Sequence, residues 1–348
     1  MMRWIGLVVA LLLLLTPPPA LAQKKTGGKR RAKAAAAEAK AAAIASSRTR
    51  FVVADGELIY VAESGGMRII DVSDPIRPRD LSWLPVPGSL HDIQLDGEIA
   101  LIAAGTRGLI LADISNPQEP FEIARLNTDG NTKRVVRYGR WAYLADGING
   151  LVVVDLEQLE TPRIQMRLST NGDVRSLAIG GEMLAIAEAH GGARVFSLGR
   201  PDAPRDVARL ESRSAVRDLC WRGDQLYAAI GKDGVSIYEP RHSTRPVGQL
   251  AAVRSAQHVS CTATQLAVSN LGSTVQLFSL SQGRDAELLS EMRIHRSAPI
   301  GRSHFQAQRL WLAVDLAGVG LLDLRDERQP ERLLPRRREF RIKNEDRD

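Results

Sequence analysis

The stretch Gly150-Leu151-Val152-Val153-Val154-Asp155-Leu156 decides the fold. An unbroken run of Leu and Val favours a strand, and its lack of polar alternation requires cover on both faces. Gly150 before it and Asp155 after it are residues that reverse a chain. The same phrase stands upstream as Leu109-Ile110-Leu111-Ala112-Asp113-Ile114-Ser115-Asn116-Pro117, and before that as Arg68-Ile69-Ile70-Asp71-Val72-Ser73-Asp74-Pro75. Downstream, Ser197, Glu239, Ser279 and Asp323 hold the equivalent place, so the spacings run 42, 42, 42, 42, 40 and 44. Seven copies of one unit follow.

Each unit reads as four short strands. In the fifth, Val216 to Trp221, Gln225 to Ile230, Val235 to Glu239 and Pro246 to Ala251 are separated by turns rich in glycine. Proline suits the start of the fourth strand because an outer edge needs no further ladder partner. Four strands per unit, a period near 42 and no helical periodicity predict an all-β fold: a seven-bladed β-propeller of four-stranded antiparallel blades over 51–334. A further outer strand is expected from Ser46 to Arg50 or from Glu339 to Ile342, one of which closes the ring.

The phrases "MRIIDVSDP", "GLILADISNP" and "GLVVVDL", preceded by "LIYVAESGG", "WAYLADGINGL" and "LWLAVDLAGVGL", resemble the LVIVD-repeat proteins. The resemblance spans residues 51–334 and is strongest in the first, second, third and seventh copies. It implies a β-propeller at a bacterial or archaeal cell surface or in the periplasm. It implies no particular activity and no catalytic residues.

The ends have their own character. Arg3, the apolar run Ile5 to Leu15, the prolines at 17–19 and Ala20-Leu21-Ala22 read as a signal peptide over 1–22. Residues 23–50 hold nine Lys/Arg against Glu38 and become alanine-rich, which suits a solvated, partly helical linker. The alternative is an electrostatic tether to anionic envelope polymer. Residues 335–348 form a charged tail. The net charge of +7 therefore sits on the ends and leaves residues 51–331 at −5, a balance that argues against a nucleic-acid partner.

In a propeller the first strand of each blade faces the central channel. Aligned on the repeat, these strands bring His91, Asp92, Lys133, Arg134, Arg175, Arg217, Asp218, His258, Arg302 and His304 near one level. Such a basic cluster in a body of negative net charge suits a carboxylate or phosphate ligand. The competing reading has the cations pair with Asp92 and Asp218 and plug the channel. Asp71, Asp113, Asp155 and Asp323 read as turn caps. Cys220 and Cys261 occupy equivalent positions in adjacent blades; they read as small buried thiols, with a disulfide as the alternative.

These residues lead to an exported, non-enzymatic binding or scaffold protein of the cell envelope, periplasmic or at the cell surface. Its expected partner is an envelope protein, an anionic glycan or a lipid head group, with no cofactor and no transmembrane segment after signal cleavage. The alternative is a metal-dependent hydrolase or lactonase-like propeller with metal held by His91, His258 and His304.

Overall fold

A computed structural model describes residues 48–189, 192–250, 253–280 and 286–333. The signal peptide, nearly all of the linker and the C-terminal tail lie outside the described residues. Among those described, no helix is long and apolar enough to cross a membrane.

The strands form seven antiparallel sheets, each built from consecutive strands of one repeat. Six have four strands. In the first blade the second and third strands run together as Leu58–Asp71, whose two halves pair with Thr49–Asp55 and with Arg79–Ser89 respectively. The strand doubles back on itself at Gly65, whose φ of +93° suits glycine, so that the Val72 N–H reaches the Glu57 carbonyl at 2.8 Å. The equivalent bond in the next blade joins Ile114 to Glu98. The first blade is thus four-stranded in substance. In the fifth blade the strands are Asp218–Arg222, Gln225–Ala229, Val235–Tyr238 and Gly248–Leu250, close to the expected bounds.

The core explains why the strands lack alternation. Leu101 and Ala103 face the third blade, whereas Ala100 and Ile102 on the same strand face the first. Every such strand is packed on both sides by neighbouring blades. Seven apolar clusters result, one for each interface between adjacent blades. The seventh joins Trp311, Ala313 and Leu321 of the last blade to Val52, Ile59 and Val61 of the first, which closes the ring.

Among the described residues, closure uses no exchanged strand. The last blade ends on its own Glu331–Arg332, and Thr49 and Arg50 belong to the innermost strand of the first blade. This corrects two expectations: the ring begins before residue 51, and Thr49 and Arg50 lie in an innermost strand rather than an outer one. Residues 339–342 lie outside the described residues. The contact at the seam is close. A Cβ on Gly301 would fall 2.3 Å from the Arg50 carbonyl oxygen, so only glycine fits there.

Candidate functional site

The seven innermost strands each contribute one residue to a layer across the channel. Phe51, Asp92, Arg134, Ser176, Asp218 and His258 stand opposite Ala62, Ala103, Ala145, Ala187, Ala229 and Ser269 of their second strands. Arg302 joins them from the register shift between Ile300 and Ser303. Its guanidinium lies over the Phe51 ring, 4.9 Å from the centroid.

Within this layer two arginines and two aspartates alternate in a closed circuit. Arg134 lies 3.5 Å from Asp92 and 3.0 Å from Asp218; Arg302 lies 2.9 Å from Asp92 and 3.2 Å from Asp218. The aspartates also serve the blades beside them. Asp92 accepts the Val135 N–H at 3.1 Å, and Asp218 accepts the Val259 N–H at 3.3 Å and the Ser176 hydroxyl at 2.6 Å. Asp218 is wholly buried. Burial alone would raise its pKa, but Arg302 and Arg134 overcome that and hold it well below the carboxylate range. Burial and the neighbouring Arg302 bring Arg134 down to about 10, opposed by Asp92 and Asp218, so it stays charged at neutral pH. The circuit is internally neutral and plugs the channel.

One step toward the start of these strands lies a second layer, the upper mouth. His91, Lys133 and Arg217 each donate a backbone N–H to the carbonyl of Ala103, Ala145 and Ala229 at 2.8 Å, which fixes them just above the plug. Arg50 and Arg175 occupy the same step in their blades and share with them a cavity of about 450 Å³. Asp173 neutralises part of the charge by pairing with Lys133 at 2.5 Å and Arg175 at 2.8 Å. Arg50 and Arg217 are exposed and have no acidic partner among the described residues. The Thr49 hydroxyl, also lining the cavity, is buried without a hydrogen-bond partner. Burial, with Arg50 and Lys133 nearby, lowers His91 to about 4, leaving a neutral imidazole at pH 7. The mouth therefore combines an excess of cations, hydrogen-bonding groups and a floor whose own charges are spent.

Beyond the plug lies a lower cavity of about 710 Å³, lined by Phe51, Leu95, Val136, Ile179, Trp221 and Phe305 among others. His304 opens here, with burial lowering its pKa against a bond to the Ala54 backbone. His91 and His258 line the upper cavity instead. The three histidines are divided by the plug and do not converge, because His304 lies further along its strand than the other two do along theirs. This removes the three-histidine metal site of the alternative reading.

The ten residues read from the repeat thus separate into three groups. Asp92, Arg134, Asp218 and Arg302 form the plug, with His258 at its upper edge, 3.4 Å from Asp218. His91, Lys133, Arg175 and Arg217 form the mouth, and His304 faces away. Arg50 and Asp173 were missed. Arg50 stands 41 residues before His91, one short of the usual period of 42, so the repeat carried a signal for it; Asp173 sits in a loop between blades, where the repeat has no matching acid to reveal it.

Cys220 and Cys261 form a disulfide, with their Cα atoms 5.9 Å apart. The expectation of free thiols is corrected: inner strands converge toward the axis, which brings neighbouring blades within bridging distance. The repeated aspartates are caps as read. Asp71, Asp113, Asp155 and Asp323 accept the backbone N–H two residues ahead at 2.9, 2.9, 2.9 and 3.0 Å. In the fourth blade the Ser197 hydroxyl takes this place, accepting from Gly199 at 3.3 Å.

Seven blades, each folded from one uninterrupted repeat around a channel plugged by charge, define a seven-bladed β-propeller. The computationally designed protein Ika8 shares the fold: its crystal structure superposes with a TM-score of 0.58 at 10% identity, over 79% of this chain and 96% of that one. No curated protein matches the chain. Residues 48–79, 87–128 and 129–160 match the family model of the LVIVD repeat, so this part of the chain carries LVIVD repeats. The match falls within the first three blades; the seventh, the other copy with a strong repeat phrase, lies outside it.

Proposed function

We propose that this is an exported, non-enzymatic binding protein of the cell envelope whose upper channel mouth captures an anionic ligand. The observation that carries the reading is the pair Arg50 and Arg217, exposed cations without acidic partners beside Lys133, Arg175 and the buried Thr49 hydroxyl. Low-dielectric walls around such a mouth focus its field, and guanidinium groups bind carboxylate or phosphate through two parallel hydrogen bonds. The nearby carboxylates Asp92, Asp218 and Asp173 are each held by arginine or lysine, which favours binding over proton-transfer chemistry. The signal-peptide pattern and the disulfide support an exported protein, since such bonds persist in oxidising compartments. The likeness to the LVIVD-repeat family supports an envelope location.

Titration calorimetry with inorganic polyphosphate tests the reading. The full chain is expected to bind saturably and less tightly as salt rises, and Arg175→Glu/Arg217→Glu to bind at least tenfold more weakly. Equal binding by the two proteins removes the mouth as the site.

A further inference from the structure

The end of the ring that bears the upper mouth carries a second feature that an ion site alone does not need. Ile148, at the tip of the turn between Gly147 and Gly150 in the third blade, is 84% exposed, and Leu271, at the matching turn of the sixth, is 65% exposed. Both turns lie at the mouth end. Gly147 bridges to Val174, next to Arg175, and the Leu271 N–H bonds the Ser255 carbonyl at 3.1 Å, just ahead of the sixth inner strand. The third and sixth blades stand on opposite sides of a seven-blade ring, so the two apolar tips flank the mouth.

A single exposed aliphatic side chain means little on any protein surface. Here the surroundings give the pair significance. Arg107, Arg213, Lys232, Arg254 and Arg296 are exposed on loops of the same end and have no ion-pair partner among the described residues. The opposite end has the other sign. Its inner turns carry Asp55-Gly56-Glu57, Asp96-Gly97-Glu98, Gly181-Glu182 and Gly223-Asp224, with their acidic groups exposed. The ring is therefore polarised along its axis although its net charge is small.

Basic groups in one plane, with aliphatic tips standing between them, match the chemistry of an anionic bilayer surface, where cations meet head groups and apolar side chains enter the interface. We infer that the mouth end of the ring docks on an anionic lipid surface, with Ile148 and Leu271 entering the interface. This rests on the anion-binding reading of the mouth and adds the lipid surface as the partner. A soluble polyanion accounts for the charges but gives the two tips no role, and the acidic opposite end fixes which way the ring faces the membrane.

Vesicle co-sedimentation separates the possibilities, using the full chain and its Ile148→Ser/Leu271→Ser variant. The vesicles are phosphatidylcholine alone or a three-to-one mixture with phosphatidylglycerol, and inorganic polyphosphate is the soluble probe. The full chain is expected to favour the phosphatidylglycerol vesicles at least tenfold. The variant is expected to lose at least tenfold on those vesicles while keeping its polyphosphate affinity, which also shows that it is folded. Equal vesicle binding by the two proteins, or no preference for phosphatidylglycerol, overturns the docking inference. Polyphosphate binding without vesicle binding overturns it and leaves the anion reading standing. Failure of the full chain to bind either probe overturns both.

Discussion

Asp218 of the fifth blade and Arg302 of the seventh meet at 3.2 Å on the axis of the ring, although 84 residues separate them in the sequence. No backbone hydrogen bond joins their sheets. With Asp92 and Arg134 they tie four blades together across the channel, so the plug acts on the shape of the whole ring.

Breaking that circuit on one side leaves a buried charge without its partner. Asp218→Asn is expected to destabilise the protein by about 3–5 kcal/mol. Arg134→Met should cost a similar amount, and Arg134→Met/Asp218→Asn clearly less than the sum of its single changes. Urea denaturation of the three variants measures the coupling; additive losses would show that the pair does not interact.

The disulfide closes a loop between residues 41 apart in sequence, which corresponds to about 4 kcal/mol of chain entropy removed from the unfolded state. Cys220→Ser/Cys261→Ser is expected to lower the urea midpoint accordingly. The native protein should show no reactive thiol under denaturing, non-reducing conditions, and two after reduction. Two thiols before reduction would mean that the bond does not form.

Ring closure rests mainly on side-chain packing, helped by the Gln306 side-chain N–H donated to the Gly56 carbonyl at 2.9 Å; Trp311 is the largest packed member, fully buried with its indole N–H donated to Gln306 at 3.1 Å. Trp311→Ala should cost about 3–5 kcal/mol. Hydrogen exchange is expected to rise first in the first and seventh blades. Uniform loss of protection in all blades would argue that the seam is no weaker than the other interfaces.

His91 sets a pH dependence. Its folded pKa of about 4 lies below the ordinary value of 6.5, so between these values the unfolded chain takes a proton that the folded one refuses. Stability is then complete above pH 6.5 and falls as pH drops toward 4, by on the order of 1–2 kcal/mol after allowing for the site's partial exposure. His304 shifts in the same direction, so His91→Gln should flatten only part of the decline. Urea midpoints at pH 7 and 4.5 for both proteins check this. An anion in the mouth would favour protonated His91, so polyphosphate should bind more tightly as pH falls toward the folded value of about 4.

The blades were legible because Leu151 to Val154 and its equivalents carry a repeated, two-sided apolar signal that only a stack of sheets satisfies. The channel residues were legible because a fixed period brings one position of every repeat to one height. What the repeat does not encode was harder to read. The first inner strand began inside a basic stretch that composition assigns to a linker, hiding Arg50. The register shift at Ile300 to Ser303 moves Arg302 into the plug and His304 below it, a half-turn of alternation that spacing alone cannot resolve. The approach of Cys220 to Cys261 depends on the angle at which blades converge, and that is a property of the closed ring.

Because no sheet borrows a strand from another repeat among the described residues, the gene can gain or lose a whole repeat without leaving any of the remaining described sheets incomplete. Blade number is then free to change by duplication or deletion of a 42-residue unit, provided that the new neighbours fit at the seam. The plug is what resists such change. Its alternating charges fall on the second, third, fifth and seventh blades, and removing any of these four units would leave a charge unmatched. Repeat architecture permits drift in size, and four side chains on the axis resist the loss of the blades that carry them.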